Sequence, residues 1–142
     1  MAEKIELGSP EWLAALKAHI ERFVATPAGQ AATFSICEVF TDVPKHLDKN
    51  GDGVLAWYCR IADGKLVFAE GEVSDVDMKT LTDYDFIVPF ARMKLGPENA
   101  AEFTEQMNAG VAAGKLKRAG QSDKAPPPEF HAMHNDLAEI TA

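Results

Sequence analysis

Between residues 33 and 82 the chain carries four strand-like runs joined by turn residues, with helical patterns only before and after them. That segregation constrains the fold more than any single motif. Strands that follow one another without helical crossovers pair mainly antiparallel and build one sheet, which the flanking helices then cover. The first run, 33–41 (TFSICEVFT), alternates Phe34, Ile36, Glu38 and Phe40 against Ser35, Cys37, Val39 and Thr41. Neither face is strongly polar, so this strand is expected at the centre of the sheet. The second, 54–61 (VLAWYCRI), puts Leu55, Trp57, Cys59 and Ile61 on one apolar face that should meet the core. Asp63-Gly64 predicts a tight hairpin into 65–69, and 76–82 is the fourth strand.

Helix signals bracket this block. Ser9 and Pro10 are suited to an N-cap and first helical position. Trp12, Leu13, Leu16, Ile20 and Phe23 then recur at helical spacing up to residue 24, and Thr26, Pro27 and Gly29 end the helix. Asp83 is placed to cap a helix over 84–95. Pro89 must kink that helix or divide it, because it has no N–H and crowds the carbonyl four residues back. A further helix over 98–112 presents Phe103, Met107 and Val111, with Gly114 after it, and 115–119 reads as a fifth short strand. Pro126, Pro127 and Pro128 form a stiff hinge before a last helix over 129–140. One domain over 1–142 is expected, with residues 1–8 as an N-terminal arm. The fold class is α+β: a mixed, mostly antiparallel five-stranded sheet with helices packed on one face.

The run DKNGDGV, 48–54, looks like the front of a calcium loop, with Asp48, Asn50, Asp52 and Gly53 in place. The loop's twelfth position falls on Cys59, a soft ligand where a bidentate Glu is needed. The segment after it reads as strand, not helix. A turn between the first two strands is the expectation, since Asn, Asp and Gly suit positive φ and local side-chain bonds.

Composition excludes several functions. The 142 residues carry 22 acidic and 14 basic side chains, a net charge of −8, which repels nucleic acid. Lys115, Lys117 and Arg118 are read as the solvated face of a strand. No apolar run approaches the roughly 20 residues of a membrane span, and the first residues lack a signal peptide's apolar stretch. A cytoplasmic protein with no integral membrane association is expected, and Cys37 and Cys59 then read as buried thiols. His131 and His134 share a helix face, but two His without further clustered ligands are read as exposed polar residues, not a zinc site. No metal or cofactor is expected. Catalysis finds no candidate: there is no G-x-S-x-G elbow and no phosphate loop, and Asp83 is better explained as a cap than as an acid or base.

Residues 62–121 (ADGKLVFAEGEVSDVDMKTLTDYDFIVPFARMKLGPENAAEFTEQMNAGVAAGKLKRAGQ) resemble the sterol carrier protein 2 (SCP2-like) lipid-transfer domain. The matching features are the hairpin at Asp63-Gly64-Lys65, the strand-into-helix step at DVDMKTLTDYDFIVPFA, a second helix, and the late strand at AAGKLKRAGQ. The order of elements before residue 62 fits too. The resemblance implies an apolar tunnel that takes fatty acids, acyl thioesters, sterols or other lipids. Phe34, Phe40, Trp57, Phe68, Met78, Phe86, Phe90, Met93, Phe103 and Met107 are the side chains available to line it, although a domain of this size needs about as many for its core. The implied function is binding, and transfer, of an apolar ligand without covalent chemistry. The alternatives are an accessory or catalytic domain serving a metabolic enzyme, or a dimerising interaction module. The sequence leaves monomer and homodimer equally open.

Overall fold

The computed structural model describes residues 4–48, 51–120 and 133–141. The expectations for Asn50, Pro126–128 and His131 lie outside them. The first helix, α1 (Pro10–Val24), begins where Ser9 Oγ accepts from the Trp12 backbone N–H at 3.2 Å. It buries the apolar stripe Trp12, Leu13, Leu16, Ile20 and Phe23. Thr26 closes α1 and starts a second helix, α2 (Pro27–Ala31), by accepting from Gly29 N. The strands are β1 (Phe34–Thr41), β2 (Val54–Ala62), β3 (Lys65–Glu70), β4 (Met78–Asp83) and β5 (Leu116–Gly120). They form one five-stranded sheet in the order β3-β2-β1-β4-β5, so β1 is central. Within this sheet only the β1–β4 pair is parallel.

The β1–β2 connection is a turn. Both Asp48 carboxylate oxygens are taken by backbone N–H groups, those of Gly51 and Gly53, each at 2.8 Å. Gly51 and Gly53 adopt φ of +77° and +75°, which a side chain would resist. The sheet has two unlike faces. One packs against the helices, with Leu55, Trp57, Cys59, Ile61, Phe34 and Phe40 in the main core. The other carries Cys37, Val39 and Ala56 under Val73 and Val76 of the β3–β4 connection. That connection is strapped down by an Arg60 fork on Asp75 and by Lys79 on Glu72 at 2.6 Å. Ser35 and Asp77 exchange backbone-to-side-chain bonds at 2.9 and 2.8 Å, which sets the parallel register of β4 on β1.

Two helix boundaries differ from expectation. The helix capped by Asp83, α3 (Tyr84–Ala91), stops well short of residue 95, and Pro89 lies within it instead of dividing it. Proline forfeits a single i→i−4 bond there, and in a helix of two turns few such bonds exist to lose. The next helix, α4 (Ala100–Ala112), starts two residues late, and its Val111 is 47% exposed. At about 100° per residue, Val111 has rotated about 80° from Phe103, whereas Gly110 lies almost directly beneath it. Gly110 is accordingly the buried residue of α4. Gly114, at φ +77°, closes α4 with paired bonds from Gly114 N to Val111 O and Lys115 N to Gly110 O. The last helix, α5, is described over Met133–Ile140. Among the described residues no helix is long and apolar enough to cross a membrane.

Candidate ligand-binding cleft

The helix-side face of the sheet is not filled. Between it and the helices lies an open cleft of about 560 Å³. Its floor is set by strand register. Glu70, Trp57, Glu38, Thr80 and Arg118 stand directly opposite one another across β3, β2, β1, β4 and β5, so all five project from the same face. On either side of this polar row lie apolar positions that also line the cleft: Ile36 with Met78, and Phe40.

The walls are apolar. Leu7, Trp12 and Leu16 come from the N-terminal segment and α1; Ile87, Phe90, Ala91 and Leu95 from α3 and the residues after it; Phe103 and Met107 from α4. Phe86, Phe90, Phe103 and His134 form a continuous row of rings, with centroids 5.0, 5.4 and 6.1 Å apart, the last two contacts edge to face. It ties α3, α4 and α5 into one wall.

Helix α5 is held against this wall by polar contacts. Asn135 accepts from Leu95 N at 2.7 Å and donates to Leu95 O at 2.9 Å. The His134 ring donates from Nε2 to Met93 O at 2.8 Å. Trp12 Nε1 donates to Thr141 Oγ1, and Ile5 N to Ile140 O at 2.7 Å. His134 is therefore half-buried and lines the cleft; the reading of it as an exposed polar residue is corrected. A three-residue spacing on a terminal helix cannot reveal a carbonyl 41 residues away. Among the described residues no group of three or more His, Cys, Asp or Glu could hold a metal ion.

Glu38 is the chemically distinctive residue. It sits on the central strand, partly accessible from the cleft, and burial pushes its carboxyl up from 4.5 to about 7. The Trp57 indole opposes this by favouring the charged form. It does so from outside hydrogen-bond geometry, because Trp57 Nε1 is buried with no hydrogen-bond partner among the described residues. Among the described residues no cation forms an ion pair with Glu38. Arg118, exposed, lies two strands away in the same row, about 10 Å at ordinary strand spacing. The thiol of Cys59 is also driven up, to about 12, by burial.

Of the ten side chains expected to line a cavity, Phe40, Trp57, Met78, Phe90, Phe103 and Met107 border the cleft. Four are placed elsewhere. Phe34 packs against Phe23 in the core. Phe68 stacks on Trp57 from β3 at 5.6 Å. Phe86 supports Phe90 and faces Gly110. Met93 offers its carbonyl to His134. The polar members Glu38, Thr80, Arg118 and His134 were not anticipated as lining. One signal was present: Glu38 is the lone charge in the alternating set Phe34, Ile36, Glu38, Phe40.

No protein-family model matches the sequence, and no curated protein matches it. Solved structures do match in fold. One is a conserved hypothetical protein, possibly sterol carrier protein, from Thermus thermophilus. It has 15% sequence identity and a TM-score of 0.54, and the match covers 100% of this chain and 96% of that one. Another is the sterol carrier protein domain 2 of Helicoverpa armigera, at 15% identity and a TM-score of 0.53, covering 92% and 93%. The chain has the SCP2-like fold: a five-stranded mixed sheet with helices on one face.

Proposed function

We propose that this chain binds a small apolar molecule of the lipid class, reversibly and without covalent chemistry, in the cleft between the sheet and α1, α3, α4 and α5. The observation that carries this reading is the cleft itself. About 560 Å³ lies within the usual range for small-molecule sites, and its walls are hydrophobic with a few placed polar groups. Burial of a chain there gains about 0.8 kcal/mol per CH₂, so even a medium-length chain outweighs the ordering it requires. The names of the two solved neighbours, which speak of sterol carriage, support the same class of ligand. Native mass spectrometry of the purified protein, with displacement of the neutral apolar dye Nile red by lipids, tests the reading. A bound lipid, or saturable displacement, supports it. An empty protein that no lipid competes for refutes it.

One observation favours a second reading, a catalytic or accessory domain. A carboxyl titrating near neutrality inside an apolar cleft is what a general acid or base requires. Incubating the co-purifying ligand with wild type and with Glu38→Gln tests this. A ligand mass changed by wild type alone supports turnover; an unchanged mass in both sinks it.

A further inference from the structure

We propose that Glu38 and Trp57 together form a polar recognition point in the cleft floor, and that it selects a neutral apolar molecule bearing a hydroxyl group. This rests on the binding reading above and names the ligand class within it. The two side chains are a directly opposed pair on β1 and β2, with Cβ atoms about 5 Å apart in such a pair. Trp57 is 4% exposed, and its indole N–H has no partner among the described residues. A buried donor left unmet is a standing cost, so a ligand oxygen that accepts from it is favoured. Glu38 beside it lines the same cleft.

The group that answers both must accept from the indole and donate to the carboxylate. A hydroxyl does this with one O–H and two lone pairs. An ester or ketone accepts but leaves the carboxylate unanswered, and an ammonium donates but offers the indole no acceptor. A fatty carboxylate brings a like charge against Glu38, and each then disfavours ionisation of the other. The surroundings do not relieve that repulsion. Among the described residues, α1, α3 and α4 contribute only apolar lining side chains. On β3, the next member of the row beyond Trp57 is Glu70, another carboxylate. Thr80 of β4 is neutral, Arg118 of β5 is two strands off, and the His134 ring on α5 is engaged with Met93 O. The floor therefore discriminates by hydrogen-bond pattern and charge, while the walls accept any chain.

The test is Nile red displacement by three probes of equal chain length: a primary alcohol, the carboxylic acid and the acid's methyl ester. It is run at about pH 5.5 and about pH 8.5, either side of the Glu38 value of about 7. Wild type, Glu38→Gln and Trp57→Phe are compared, each first shown to melt cooperatively. In wild type at the higher pH the alcohol should bind roughly tenfold or more tightly than the acid. Glu38→Gln should narrow that gap to about threefold or less by removing the like charge. Trp57→Phe should weaken the alcohol roughly fivefold, the loss of one buried hydrogen bond. Equal affinities for alcohol and acid in wild type, or a gap that Glu38→Gln leaves unchanged, overturn the recognition point while the cleft reading stands. Failure of all three probes to displace the dye removes the binding reading, and this inference with it.

Discussion

Replacing Glu38 by Gln should make the protein more stable at alkaline pH, the reverse of what loss of a surface carboxylate does. The reason is linkage. Below pH 4.5 the carboxyl is protonated in both the folded and unfolded chain, and the group contributes no pH dependence. Between 4.5 and about 7 the unfolded chain has released this proton and the folded chain still holds it. Fewer protons bound when unfolded means stability falls as pH rises through that window, and the loss levels off above about 7. The gap between 4.5 and about 7 corresponds to about 3 kcal/mol. Water entering the open cleft screens part of it, so about 2 kcal/mol is the expected effect. For a chain of this length that is a rise in Tm of roughly 5–8 °C. Urea unfolding of wild type and Glu38→Gln across about pH 4 to 8.5 reads this directly. The two should converge in acid and separate above neutrality, with the variant on top. Groups whose pKa moves the other way cancel in the comparison; Asp75, lowered chiefly by its hydrogen bond from Arg60, is one. Parallel stability curves for the two proteins would refute the reasoning, because they would mean that the carboxyl is not desolvated.

Three further outcomes follow from the packing. Gly110→Ala places a methyl against the Phe86 ring where α4 meets α3. The gain in helix propensity of about 1 kcal/mol should be outweighed by overpacking, giving a net loss of roughly 1–2 kcal/mol in urea unfolding. Asn135→Ala removes both bonds to Leu95 and should cost about 2 kcal/mol, with faster hydrogen exchange confined to α5 before any global loss. The Cys59 thiol, fully buried and driven up to about 12, and Cys37, 1% exposed and also raised by burial, should both be inert to a thiol reagent in the native protein at about pH 8. A rapidly reacting native thiol would contradict the placement of both strands.

The elements were legible in the sequence because their causes are local. The apolar stripe of α1, the caps Ser9 and Asp83, the turn built on Asp48, the alternation of β2 and the Gly114 terminus are each written within a few residues. The misplacements are local effects meeting tertiary ones. Val111 continues the i, i+4 count, yet the true period carries it off the buried face and puts Gly110 there instead. The cleft floor was legible only in halves. Periodicity put Glu38 on the face shared with Phe34, Ile36 and Phe40, and Trp57 on the face shared with Leu55 and Cys59. Nothing within either strand says that these two residues stand opposite each other, nor that Thr80 and Arg118 extend the row. That depends on three independent registers, one of them the parallel β1–β4 pair fixed by the Ser35–Asp77 exchange. A single-residue slip in any strand would turn its contribution to the other face of the sheet. A core built for stability alone would put an aliphatic residue at position 38 and leave no buried donor unmet at position 57. The register instead brings both liabilities together in the floor of the cleft. That coincidence, added to the volume of the cleft, is what supports the proposal that its floor meets a ligand.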